Sequence, residues 1–500
     1  MTAGLPIDGA ILIGASLLVV GVLVVGFSDR LRLPASLLSL GLGMLFGSDV
    51  LGLVRLDDAA LVRDISVIAL IVILFEGGLT TKPSALRETG APGFALASVG
   101  VVLTAGVTAV AAHFLLGTGW ETALLLGAVV ASTDAAVVFD LLRRAPLPRR
   151  LAGVLEVESG ANDPVAILLT IGLVETFLHG SSVVDWLEFG TVQLVGGLAV
   201  GAAFGLAGSK ILSMRLRSQG LYPLLASGIA GLTYAVAAGV SASGFLAVYV
   251  CGLIVGARVP RQRRVIRSFY ASLANGADIA LFLILGLLVF PSRLGEVALT
   301  GLALTAILVL VARPVAVAVS LLPFRLPWRE QAWLSWAGLR GAVPIVLATF
   351  HATAGLAAGE TIFDIVFFVV VTSMLLQGTT VMPLARRLGL VTDHPAWQSI
   401  AEAVPLDDAD VDLVEIVVTA DLPLIGSRLD EMPTGPGMQV TIVIRGHRTV
   451  IPSGSTVFEE GDVVMLAVDR ERAGVSDATA WARGETSEGR DSGPADPPGR

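Results

Sequence analysis

Cysteine and histidine are nearly missing from this chain of 500 residues, which has one Cys, Cys251, and five dispersed histidines. A lone thiol inside an apolar stretch rules out an internal disulfide, and histidines without ligand spacing offer no zinc or redox centre. No cofactor is expected. Charge is scarce too: Asp, Glu, Lys and Arg make up 15% of the residues against 54% hydrophobic, with a mean hydropathy of +0.81. That balance excludes an ordinary soluble domain of this size and marks a polytopic membrane protein embedded in a lipid bilayer. The first apolar run, residues 8–27, has no basic region before it and no small-residue cleavage pattern after it. It reads as a first span rather than a removable signal, so the mature N-terminus is expected to be the encoded one. A basic patch of the kind that binds nucleic acid is also missing.

What is present is a series of apolar windows of spanning length. They fall near 9–27, 34–51, 61–79, 92–115, 121–142 and 150–174, and then near 190–212, 221–238, 241–257, 271–290, 296–322, 331–353 and 362–385. The pattern predicts an all-α membrane region of about thirteen helices over residues 1–390. Loop charges follow the count: 20 Lys and Arg fall on one side, and Arg55, Arg63 and Arg293 alone on the other. The positive-inside rule then places the N-terminus outside and the C-terminus in the cytoplasm of a plasma (inner) membrane.

Beyond residue 390 the composition turns acidic, with 20 Asp and Glu against 8 Lys and Arg. Period-two stretches at 412–418, 439–445, 448–451 and 463–468, with a helix-like piece near 428–432, predict a small α+β domain over 405–472. Residues 473–500, rich in Gly, Pro, Ser, Asp and Glu, are expected to be disordered.

The chemistry concentrates in Glu158-Ser159-Gly160-Ala161-Asn162-Asp163-Pro164, a polar stretch inside an apolar span. A charge near the bilayer centre costs at least roughly 2.5 to 3.5 kcal/mol, so such groups face a cavity and mark an ion or proton path. Pro164 lacks the N–H that would bond Gly160 and loosens the turn. Asp163 reads as the working carboxylate: in a desolvated site proton and cation compete for it, which suffices for antiport. If it alone changes protonation while Asn162 stays neutral, exchange is one for one and electroneutral.

Few other ionisable groups lie inside spans: Glu76, Asp134, Asp278, Arg313 and Arg340. Asp134, in Ser132-Thr133-Asp134 of the fifth span, and Arg340, in Gly338-Leu339-Arg340-Gly341-Ala342-Val343-Pro344 of the twelfth, are seven spans apart. That offset fits two inverted six-helix repeats joined by a linking helix, with interrupted helices meeting near the midplane. Arg340 needs a carboxylate partner, and Glu158 is preferred over Asp134. Thr133 and Ser159 are left to join Asp163 in a hard-oxygen site for a monovalent cation. Glu158 and Arg340 can equally be only a structural pair, Asp134 a cap for broken backbone, and Glu76 an interfacial group. Asp278 reads as structural, and Arg313 as a side chain snorkelling towards the cytoplasm.

These motifs, with Phe75-Glu76-Gly77-Gly78 at the end of the third span, resemble the NhaP-type monovalent cation:proton antiporters up to about residue 390. The resemblance implies a thirteen-helix inverted-repeat fold, a homodimer and elevator-like movement of a core bundle. By position, Asp163 is the shared cation and proton carboxylate. Thr133, Ser159, Glu76 and Asn162 accompany it in the site, Asp134 holds the unwound segment, and Glu158 pairs with Arg340. The C-terminal domain resembles the TrkA C-terminal lobe of regulators of potassium conductance, through its run from Arg448 to Thr456 followed by Glu460-Gly461-Asp462-Val463-Val464. The glycine-rich nucleotide-binding lobe is missing, so no NAD site is expected, although a small-molecule ligand of the remaining lobe fits the resemblance.

This layout is that of the cell volume regulation protein A type of potassium:proton antiporter, which favours potassium, with sodium also admitted, and a role in pH and volume homeostasis. A strictly sodium-selective antiporter is the nearest alternative. A channel would need a Thr-Val-Gly-Tyr-Gly filter and an intramembrane aspartyl protease a Gly-x-Gly-Asp motif; neither occurs. An acidic core suits an organic-anion carrier poorly. The chain is not expected to be an enzyme.

Overall fold

The computed structural model describes residues 8–28, 33–54, 56, 58–81, 83–134, 147–180, 183–259, 263–353, 359–391, 402–405, 411–419, 422–446, 448–469 and 472–484. Two compact units emerge, Met1–Asp393 and His394–Arg500.

The first unit is helical. Seven of its described helices are long and apolar enough to cross a membrane, among them Thr89–Leu115, Arg150–His179, Pro291–Phe324 and Thr361–Arg387, and four shorter apolar helices accompany them. Their apolar residues face outward as well as inward: Leu299 is 82% exposed and Phe114 74%, a distribution suited to lipid rather than water. Ala59–Thr80 starts where the Asp58 side chain accepts from the N–H groups of Ala60 and Leu61. It ends where Arg267 donates to the Leu79 carbonyl at 2.6 Å, a cation placed on the negative end of a helix.

The helices pack as two groups. One holds Asp8–Gly26, Ala35–Phe46, Ala59–Thr80, Gly197–Leu212, Leu221–Gly239, Gly244–Arg258 and Arg263–Leu288. Glycines make it tight: a Cβ on Gly43 or Gly286 would overlap the facing backbone of Leu283 or Leu40, and one on Gly78 or Gly252 that of Tyr249 or Phe75. Such close backbone approach is how helices lock together in lipid. The other group holds Pro83–Leu116, Trp120–Val129, Arg149–His179, Pro291–Leu321, Trp328–Trp336, Ala342–Thr353 and Gly359–Arg387.

Two expected spans are interrupted. Trp120–Val129 stops in a turn, and residues 132–134 run non-helical; residues 135–146 lie outside the described residues. Trp328–Trp336 likewise gives way to a non-helical stretch at 338–341 before Ala342–Thr353 resumes.

The second unit is an antiparallel sheet of β1 (Glu402–Pro405), β2 (Val411–Val417), β3 (Met438–Arg445), β4 (Arg448–Val450) and β5 (Val463–Asp469), in the order β1-β2-β5-β3-β4. Alternate residues Val464, Leu466 and Val468 of central β5 are buried with Val414, Ile416, Val440 and Val443. A short turn of helix, Leu429–Glu431, lies where one is expected. One expectation needs correcting: within the stretch read as a disordered tail from residue 473, Val475–Ala482 is a helix. Its Ala478, Trp481 and Ala482, at helical spacing, form an apolar face that joins the sheet core, with Trp481 edge-on to Phe458. Residues 485–500 lie outside the described residues.

Candidate functional site

The two interrupted stretches cross and bond. The Asp134 N–H donates to the Leu339 carbonyl at 2.7 Å, and the Asp134 carboxylate lies against Gly341, where any side chain would overlap it. Breaking helices in lipid frees carbonyls that must be bonded again. Arg340 Nη1 takes those of Ala131 (2.6 Å) and Ser132 (2.7 Å), Gln377 Nε2 that of Trp336 (2.8 Å), and Arg313 Nη2 reaches that of Leu334 (3.4 Å). Arg340 is 1% exposed, so its charge is spent on the dipoles of the unwound segment.

Glu158 does not pair with Arg340 as expected. Its Oε1 sits 2.6 Å from Arg313 Nη2, with both side chains buried. Arg313 therefore does not snorkel to an interface; a guanidinium 2% exposed in the middle of the bundle needs its own counter-ion, and Glu158 supplies it. Thr133 Oγ1 donates to the same Glu158 oxygen at 3.3 Å, and Asn162 Nδ2 donates to the Thr133 hydroxyl (2.6 Å) and carbonyl (3.0 Å). Asn162, completely buried, thus braces the unwound stretch rather than facing the open space beside Asp163.

That space is a cavity of about 720 Å³, lined by Glu76, Ser132, Thr133, Asp134, Ser159 and Asp163 among others. Of the residues singled out from the sequence, these come together on its wall. Glu158, Asn162 and Arg340 stand behind as the layer that holds the broken backbone. Asp163 is half-buried on the cavity surface and has neither hydrogen bond nor ion pair among the described residues. Further polar cavity residues were missed as site members, among them Ser36, Asn275, Asp278 and Tyr249. For Asp278 a signal existed, since a mid-span carboxylate is costly; for Ser36 and Tyr249 there was none.

Residues 14–387 match the family described as sodium/hydrogen exchanger, transmembrane, and residues 413–474 the TrkA-C domain. The chain is 35% identical over 468 residues to the K(+)/H(+) antiporter NhaP2 of Shewanella sp. (strain ANA-3), covering 92% of this chain and 81% of that one. The chain belongs to the NhaP-type sodium/hydrogen exchanger family. Another relative of this family, the K(+)/H(+) antiporter NhaP of Alkalimonas amylolytica, is 36% identical over 471 residues with the same coverage. The structure of the sodium proton antiporter MjNhaP1 from Methanocaldococcus jannaschii at pH 8 superposes with a TM-score of 0.69 at 25% identity, over 76% of this chain and 98% of that one. The stretches around Glu76, Asp134, Asp163 and Arg340 singled out from the sequence are those that build the crossing and the cavity here.

Proposed function

We propose that this protein is a secondary antiporter exchanging potassium, and also sodium, for protons across the plasma membrane through Asp163, which binds proton and cation in turn. One observation carries the reading: at the centre of a helical membrane unit, Glu158 and Arg313 neutralise each other and Arg340 Nη1 is bonded to two carbonyls, while Asp163 faces the cavity without a partner among the described residues. A carboxylate left so exposed to a cavity in lipid is suited to exchangeable counter-ions. If no other carboxylate changes protonation in step, exchange is one for one and electroneutral. Thr133, Ser159 and Glu76 surround the cation directly or through water. Asn162, also a candidate ligand, acts through its hold on Thr133.

The membrane region, residues 1–390, is read as about thirteen helices in two inverted six-helix repeats. Support comes from the two interruptions and from a π-helical turn in the span before each, Leu96–Gly100 and Leu308–Ala312. Freed carbonyls at such turns suit helices that bend around a crossing. The two helix groups are read as a scaffold and a core bundle that moves against it like an elevator, in a homodimer with the N-terminus outside and the C-terminus in the cytoplasm. Residues 405–472 form the regulatory domain, with a small molecule as the class of ligand. Potassium is preferred because relatives that align over both regions carry the name K(+)/H(+) antiporter. The strictly sodium-selective reading draws on the Na(+)/H(+) antiporter NhaS2 of Synechocystis sp., at 28% identity over 82% of this chain.

Cation-driven proton movement in proteoliposomes, comparing potassium with sodium, tests this function. Potassium-driven exchange is expected; exchange with sodium alone keeps the mechanism and changes the substrate, and no exchange with either contradicts it.

A further inference from the structure

Asp278 sits near the middle of Arg263–Leu288, a helix packed against Ala35–Phe46 and Ala59–Thr80 in the group that does not contain Asp163. Its side chain lines the same cavity as Asp163. Among the described residues it accepts one hydrogen bond, from Ser36 Oγ to Oδ2 at 3.2 Å, and no basic side chain pairs with it. A role as a mere tie between helices accounts poorly for it. Gly43 and Gly286 already bring Ala35–Phe46 and Arg263–Leu288 into backbone contact, and an asparagine would accept the same hydrogen bond without a buried charge.

Independent groups on the cavity wall also call for a polar occupant. Ser132 Oγ, in a residue 1% exposed, has no hydrogen-bond partner among the described residues, and Ser132 and Tyr249, the latter 3% exposed, both line the cavity. Buried hydroxyls beside a space of about 720 Å³ are satisfied by water or an ion within it. Asn275, almost one turn before Asp278, lines the same space and adds an amide oxygen.

We propose that Asp278, with the Ser36 hydroxyl and the Asn275 amide, forms a second cation-binding station of the transport path, where a partly hydrated monovalent cation rests before reaching Asp163. The inference rests on the antiport reading above and adds a site on the opposing helix group. Oxygen ligands alone suit a hard cation. When ionised, the Asp278 carboxylate raises the cation's local concentration beside the bundle, an effect read in half-saturation rather than in maximal rate.

The test is potassium-driven exchange in proteoliposomes of the full chain. Asp278→Asn keeps an acceptor for Ser36 and removes the charge; half-saturating potassium is expected to rise about fivefold, with maximal rate within about twofold of native. Asp278→Glu restores the charge and is expected to recover most of the loss. An unchanged half-saturation in Asp278→Asn overturns the station, as does a fall in maximal rate alone, which would mark a purely mechanical role. If Asp278→Asn does not insert, Ser36→Ala decides: a rise of about twofold supports the station, and none overturns it. In all these outcomes native exchange persists, whereas its absence would bring down the antiport reading itself.

Discussion

Arg313 Nη2 lies 2.6 Å from Glu158 Oε1, with side-chain exposures of 2% and 1%. Removing one member of a buried pair leaves the other charge uncompensated and costs about 3 to 5 kcal/mol. Glu158→Gln is therefore expected to lower the thermal stability of the purified protein sharply, and adding Arg313→Met to restore part of it. A thermal double-mutant cycle should find strong coupling between residues 158 and 313 and weak coupling between 158 and 340, because the hydrogen bonds of Arg340 go to Ala131 and Ser132. Equal coupling would contradict the pairing.

Gly341 touches the Asp134 carboxylate at the crossing of the interrupted helices, so a methyl group there must push the two stretches apart. Gly341→Ala is expected to cost about 1 to 3 kcal/mol and to cut the exchange rate at least roughly tenfold, the price of misplacing groups by an ångström being of that order. Gly106→Ala, at a position with open space around it, is the control and should leave both thermal stability and exchange near native.

In the C-terminal unit, burial alone would push the Asp462 carboxyl up. The hydrogen bonds from Arg445, at 2.9 and 2.7 Å, and from the Glu459 N–H, with the charge of Arg445, outweigh it and hold it below the ordinary carboxylate value. A carboxyl lowered on folding contributes its stability in full above the unfolded value, and the contribution is lost as pH falls through the lowered one. Resistance of this unit to pepsin in the full chain is expected to drop as pH falls below about 4. Asp462→Asn should be less stable at neutral pH by about 1 to 3 kcal/mol and should flatten that acid dependence.

Much of this was legible in the sequence, because cost in lipid is legible: a carboxylate, an arginine or a proline inside an apolar span announces itself. The placement of the broken helices at Asp134 and Arg340 followed from that, whereas the strands around Val464 and Val443 were read from their period-two alternation. The partner of Glu158 did not. Two arginines, Arg313 and Arg340, lie inside spans, and only the crossing of the helices decides which guanidinium meets the carboxylate and which meets the carbonyls. Asn162 was misplaced for a related reason, since a helix of known sequence has no known rotation until its neighbours are placed. The helix Val475–Ala482 was hidden by polar flanks, its apolar face consisting of just three residues on a sheet core far away in sequence.

The regulatory reading of residues 405–472 has its own consequence. Removing the chain from residue 405 onward is expected to shift the pH or cation dependence of exchange in proteoliposomes without abolishing it. A well-inserted truncation with no activity would contradict a purely regulatory lobe.

The central claim is that one carboxylate takes proton and cation in turn, and the pH dependence of half-saturation tests it most directly. With native protein in proteoliposomes, half-saturating potassium should rise about tenfold per pH unit on the acid side, with maximal rate unchanged, as competition for a single site requires. Asp163→Asn should abolish exchange. A half-saturation independent of pH, or an Asp163→Asn protein that exchanges as the native one does, would contradict the account.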